Sequence, residues 1–384
     1  MIVHRLQLLV VLLALSGCGS VDTVKGWMGK TTGAAEPAKL VEFNETAKFS
    51  ERWHNNFGDS GANPLQAALT SDAVYGASGK GMLTRLDRIT GRQIWSVDSK
   101  IVVSAGVGSG EGLVLIGSDK GEVLAFGEDG KLRWKHTVSS EVLGVPQVAD
   151  GVVVVRSGDG HIAGLSVADG RRLWIYERST PALVVRSHAS VTVRRGVAYA
   201  GFAGGKLVAI KLADGSLVWE NAVSQPRGNT ELERISDITS NPVVSDVQVC
   251  AIAFQGRLAC YEAGQGSPLW NRDIASDKGL FILRKQLFVS DARGAVMALD
   301  KDSGSTVWKN EQLLLREPSA PYAQDHLVAV GDYQGFLHGL SREDGRFVAR
   351  IKLDGSAIEA APVEMDDGML VQTRSGGIYS LSIH

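Results

Sequence analysis

The sequence predicts an all-β fold: an eight-bladed β-propeller of four-stranded antiparallel blades, its ring closed by N- and C-terminal strands. Three observations predict it. A long internal repeat runs through the chain, its copies carry a glycine turn followed in six of seven by a tryptophan four residues later, and the two ends each hold part of one further copy. The turn glycines are Gly91, Gly130, Gly170, Gly215, Gly266, Gly304 and Gly345, separated by 39, 40, 45, 51, 38 and 41 residues. A fixed period of that length is the signature of a repeat architecture, and with four short strands per copy it is propeller-blade spacing.

Each element of the repeat has a physical reason. In VLIGSDKGEVLAFGEDGKLRW, ending at Trp134, two apolar runs rich in Val, Leu and Ile flank a Gly-containing turn. Such runs are half-buried strands, and the glycines supply the positive φ of tight hairpins. Trp95, Trp134, Trp174, Trp219, Trp270 and Trp308 close six copies, and the seventh has Ala349 in that place. One Trp at one position of every copy suits packing between neighbouring sheets, with the indole N–H reaching a backbone carbonyl. A stripe lining a ligand channel is the other reading, which such regular recurrence disfavours.

The ends supply the eighth blade. MLVQTRSGGIYSLSIH has a first hairpin around Gly376 and Gly377 but stops before the outer strands, and KFSERWHNNFG offers a strand carrying Trp53. Joining them closes the ring and removes exposed sheet edges. A seven-bladed ring with loose ends is the alternative. The propeller is therefore expected over residues 41–384.

Residues 18–40 mix Gly, Thr, Ala and Lys without a period and read as a tether. Before them, Arg5 and the apolar run 6–15 have the form of a signal peptide, too short for a mature membrane span. The run ends in Leu15-Ser16-Gly17-Cys18, which resembles the bacterial lipobox. That resemblance implies removal of residues 1–17 and lipidation of Cys18; an ordinary signal peptide with a chance Cys is the plainer reading. Two or three acyl chains make a stable anchor. Gly19 in place of Asp implies the outer membrane, facing the periplasm.

Composition narrows the function. The net charge is −2 and no basic run stands out, so nucleic acid is not an expected partner. The repeats resemble those of quinone-dependent alcohol and glucose dehydrogenases, which makes a quinoprotein dehydrogenase one alternative. Those alcohol dehydrogenases carry a disulfide between adjacent cysteines, however, and Cys250 and Cys260 are ten residues apart. No Cys-x-x-Cys-His haem-attachment motif occurs either. The run GVGSGEG at 106–112 lacks phosphate-loop spacing and is followed by a strand, so it reads as an inter-blade loop. The eight histidines show no zinc spacing, and Ser157-Gly158 is a turn, not a nucleophile elbow. No catalytic residue, cofactor or metal is expected.

Cys250 and Cys260 lie on the two arms of one hairpin. A three-residue turn at Phe254, Gln255 and Gly256 makes them face each other, in position for a structural disulfide. A two-residue turn puts them on opposite faces.

Function on a propeller concentrates where blades are irregular. The two longest separations are adjacent, after Trp174 and after Trp219. Their extra segments form one composite surface, with apolar Leu183, Val185 and Ile235 among the charges of Arg186, Arg227, Glu231, Glu233, Arg234 and Asp237. The segment SQPRGNTELERISDITSNP, ending at Pro242, and the companion Leu183-Val184-Val185-Arg186 resemble loops of the BamB family. These are propeller lipoproteins of the outer-membrane β-barrel assembly machinery. The resemblance implies a non-catalytic scaffold whose loops bind the periplasmic POTRA domains of the BamA insertase. It also implies other assembly-complex lipoproteins as neighbours, and unfolded outer-membrane proteins as possible clients. By motif position, Leu183, Val185, Arg186 and Asp237 are the implied partner contacts. The sequence departs from the family pattern at Thr239, where a second Asp is usual. An envelope propeller with a different partner is the remaining alternative.

Overall fold

A computed structural model describes residues 36–366 and 368–384. The expected signal segment 1–17, Cys18, and the tether as far as residue 35, Trp27 included, lie outside the described residues. Eight four-stranded antiparallel sheets make up the fold. Blades 1 to 7 span residues 68–98, 108–137, 147–176, 192–222, 243–272, 280–310 and 322–352, with four consecutive strands paired in chain order. Blade 8 takes Val363–Met365, Gly368–Gln372 and Gly377–Ile383 from one end of the chain and its outermost strand, Phe49–Asn56, from the other. The ring is thus closed by the two ends, and the seven-bladed alternative falls.

The core is divided among the seams. Eight buried clusters each draw on two neighbouring blades: Tyr75 and Leu83 of blade 1 meet Ile116 and Phe126 of blade 2, and Trp53 and Ile378 of blade 8 meet Val74 and Leu86 of blade 1. Each sheet buries both faces against its neighbours, which is why the central strands read as nearly continuous apolar runs.

The recurrent tryptophan locks each seam. The indole N–H of Trp53, Trp95, Trp134, Trp174, Trp219, Trp270 and Trp308 donates to a carbonyl of the next blade, at 2.8–3.1 Å. The ring lies flat under the next blade's turn glycine. At Gly345, with φ +73°, a Cβ would stand 2.4 Å from Trp308. Glycine is required there twice over, by conformation and by contact.

Ala349 now has a reason. The next blade's third and fourth strands come from opposite ends of the chain, so no turn exists to receive an indole. Lys48 and His384 instead exchange backbone hydrogen bonds of 2.9 and 3.1 Å. Phe49 fills the volume: its Cζ is 3.2 Å from where a Gly339 Cβ would be, whereas at the equivalent Gly164 the indole of Trp174 closes the space.

Residues 38–47 form a strap on blade 7, so residues 38–40, expected in the tether, are held on the ring. Ala38 N–H donates to Leu314 O, and Thr46 and Ala47 N–H donate to Val348 O. Phe43 packs against Phe347 in a tilted pair with ring centres 5.5 Å apart. Arg316 and Arg350 donate to the carbonyls of Ala38 and Val41. Both arginines are aimed by a buried group. Asp332 accepts from Arg316 at 2.6 and 2.9 Å and pairs with His338 Nε2 at 3.0 Å. Arg350 Nε donates to His338 Nδ1, which makes Nε2 the protonated nitrogen of a neutral imidazole. Burial, the largest influence, lowers the His338 pKa despite the pull of Asp332.

Candidate partner-binding face

Connections from the outermost strand of one blade to the innermost of the next share one end of the ring with the middle hairpin turns. Two of these connections, 177–191 between blades 3 and 4 and 223–242 between blades 4 and 5, are longer than any other.

Residues 223–242 hold themselves in shape. Glu233 accepts from the N–H groups of Asn229 and Thr230 at 2.7 and 3.2 Å, and Thr230 Oγ1 accepts from Glu233 N–H at 3.3 Å. This is a reciprocal capping box, and its hydrogen bonds hold the Glu233 carboxyl below its usual range. Further on, Ile238 is buried against Gly201, where a Cβ would lie 2.2 Å from its Cγ2.

The second loop is stitched to the first. Asp237 Oδ2 accepts from Val185 N–H at 2.7 Å while Oδ1 accepts from Gly204 N–H at 2.9 Å. Ser187 Oγ donates to Thr239 O at 3.2 Å, Ser190 N–H to Asn241 Oδ1 at 2.6 Å, and Thr192 Oγ1 to Pro242 O at 2.6 Å. Arg178, at the base of 177–191, pairs with Glu220, which Lys206 also approaches.

These contacts sort the residues singled out in the sequence. Leu183 is 42% exposed and Arg186 is exposed, with no ion pair among the described residues. Val185 is half-buried, and Val184, which the sequence reading passed over, is 39% exposed. Asp237 fits the local of two roles open to it, holding the loop rather than pairing with a basic group of a partner. At 4% exposure, with each oxygen accepting from a backbone N–H group, it ties the two loops together. Thr239 gives its carbonyl to Ser187, and its buried hydroxyl has no protein partner.

The axial funnel opens at the same end, with a volume of about 680 Å³. Arg186 and His188 line one side, and Glu317 and Glu359 lie on the connections into blades 7 and 8 across the ring. Burial, with a smaller push from Arg186, holds His188 below the usual imidazole range. Among the described residues no three His, Cys, Asp or Glu side chains converge as a metal site. Cys250 faces Cys260 in the blade 5 hairpin, where Ala253 N–H donates to Arg257 O at 2.9 Å. The two cysteines are joined as a disulfide, Cα to Cα 4.1 Å.

Fold and face together define a propeller of quinoprotein-type repeats with one elaborated loop pair. The family described as outer membrane protein assembly factor BamB matches residues 79–310. The BamB of Nitrosomonas eutropha is 40% identical over 99% of this chain and 95% of its own length, and that of Escherichia coli 32% over 96% of each. The crystal structure of BamB from Moraxella catarrhalis superposes with a TM-score of 0.80 at 24% identity, covering 87% of this chain and 99% of that one. The quinohemoprotein alcohol dehydrogenase of Comamonas testosteroni reaches 0.72 at 13% identity, over 87% of this chain and 76% of its own, a likeness of fold alone. The chain belongs to the BamB family.

Proposed function

We propose that this chain is an outer membrane protein assembly factor that works by binding, not by catalysis. Its loop pair 177–191 and 223–242 docks on the POTRA domains of a BamA-like insertase, in a complex with other assembly lipoproteins. Lipid on Cys18, after removal of residues 1–17, anchors it to the outer membrane on the periplasmic side.

The observation that carries this reading is the stitched loop pair. Four hydrogen bonds hold residues 183–190, two through backbone N–H groups and two through serine hydroxyls, yet Leu183, Val184 and Arg186 are left exposed. An apolar patch with a central, unpaired arginine on a rigid base has the composition of a protein-binding hot spot.

The test is affinity purification of the lipidated protein from detergent-solubilised outer membranes. A POTRA-containing barrel protein should copurify, and Arg186→Glu should release it. With purified POTRA domains, Arg186→Ala should weaken binding by about 2 kcal/mol, roughly thirtyfold. Recovery unaffected by Arg186→Glu moves the site elsewhere on the ring. No insertase at all, with Cys18 intact, refutes the function.

A further inference from the structure

Below residues 184–187, in the cleft between blades 3 and 4, lies a pocket of about 230 Å³. Phe202 and Ile238 line it, Gly158 and Gly160 leave room for it, and two arginines reach it, Arg186 from the loop and Arg156 from the end of strand Val152–Arg156. The Arg156 guanidinium lies 5.3 Å from the Phe202 ring centre. Its one hydrogen bond among the described residues runs from Nη1 to Ala189 O, a long 3.3 Å, and no carboxylate stands within 4.0 Å. The neighbouring cation, Arg178, is already neutralised by Glu220. Two carboxylates also line the wall without pairing with Arg156 within 4.0 Å: Asp237 accepts from the N–H groups of Val185 and Gly204, and Glu141 accepts from the Ser140 hydroxyl. Burial pushes the Arg156 pKa down to about 10, with Asp237 opposing, so at neutral pH the group is charged. Arg156 is half-buried with donors left over, which can take an incoming anion.

We propose that this pocket receives an aspartate or glutamate side chain of the protein that docks on the loop face, with Arg156 as a specificity-determining cation behind Arg186. Two guanidinium groups at one pocket match a carboxylate, which accepts from arginine through both oxygens. The aromatic wall and the exposed apolar Leu183 and Val184 at the rim suit an acid carried on a methylene stem by a surface that covers the rim as it enters. The partner then excludes water from the ion pair, which is the condition under which such a pair discriminates strongly. The inference rests on the reading of the loop face as a partner site.

The test uses the full ring and a purified POTRA-domain fragment. Arg156→Met should weaken binding about tenfold or more and reduce its salt dependence. Thr180→Trp provides a second variant that leaves the core alone. Thr180 is exposed, its Cγ2 only 2.7 Å from where a Gly160 Cβ would be, and an indole there fills the mouth to the same effect. When the fragment's acidic residues are neutralised one at a time, one of them should cost about tenfold against the native ring and nothing against Arg156→Met. Binding within twofold of native for both ring variants, with Arg186→Glu still abolishing it, overturns the pocket and leaves the loop face standing. Absence of binding by the native ring overturns both. Displacement of the fragment by inorganic phosphate, beyond that by chloride at equal ionic strength, makes the pocket a free-anion site and overturns the proposal as well.

Discussion

Replacing Asp237 with alanine separates a positioning role from a surface contact. In the free protein its carboxylate accepts two backbone N–H groups, from Val185 at 2.7 Å and Gly204 at 2.9 Å, at 4% exposure. Hydrogen bonds to a charged acceptor contribute about 1.5–3 kcal/mol each, and a buried donor left without a partner costs a similar amount. At about 1.4 kcal/mol per factor of ten, each amide should lose roughly ten- to a hundredfold of its exchange protection in Asp237→Ala. The measurement is native-state amide hydrogen exchange on the ring alone, with no partner present. Protection at the core strand Val197–Phe202 serves as the internal reference for global stability. Asp237→Asn keeps one carbonyl acceptor and should spare one of the two amides. If both amides stay protected in Asp237→Ala, the loop is held by other contacts and the positioning argument fails.

Three further outcomes follow from the packing and the buried charges. Gly345→Ala places a Cβ 2.4 Å from Trp308 at φ +73° and should cost about 3 kcal/mol or more in urea unfolding, far above an ordinary Gly-to-Ala change; a loss under 1 kcal/mol contradicts the interlock. His338 is held below its usual pKa by burial, so the folded state binds fewer protons than the unfolded chain as pH falls through about 6.5. Its contribution is therefore present above that pH and lost below it, by at most about 1.4 kcal/mol per pH unit, and His338→Gln should flatten that part of the stability profile measured by denaturant melts between pH 7.5 and 5. Thiol counting on denatured, unreduced protein should find neither Cys250 nor Cys260 free, and reduction should lower stability by about 2–3 kcal/mol for so short a loop; two free thiols refute the bridge.

The fold was legible in the sequence because a propeller repeats its solution. Each Gly-to-Trp spacing of four residues is one half of a seam, and six copies of the same spacing state the seam six times. The closing blade was legible from what the ends lack. The details that escaped are those that occur once. Ala349 looks like decay of the repeat until the chain ends are seen to meet beside it, with Phe49 in the vacated volume. The strap was hidden because residues 38–47 have no period. Its receiving residues, Arg316, Asp332, His338, Phe347 and Arg350, are scattered over a blade whose pattern is otherwise ordinary. Phe347 held the one local signal: every equivalent position in blades 1 to 6 is exposed, and an aromatic there calls for a cover.

The loop face shows the same division in sharper form. Loop length marked the place, and the motif marked Leu183, Arg186 and Asp237, but a motif cannot tell a residue that touches a partner from one that shapes the surface. Burial can. Asp237 and Arg156 are both charged and both recessed beneath the same loop, and their hydrogen bonds set them apart. Each Asp237 oxygen accepts from a backbone N–H group and holds the two loops together, whereas Arg156 has one weak bond and an open pocket before it. Arg156 therefore keeps donors free in an open pocket, under the face that the proposed partner covers.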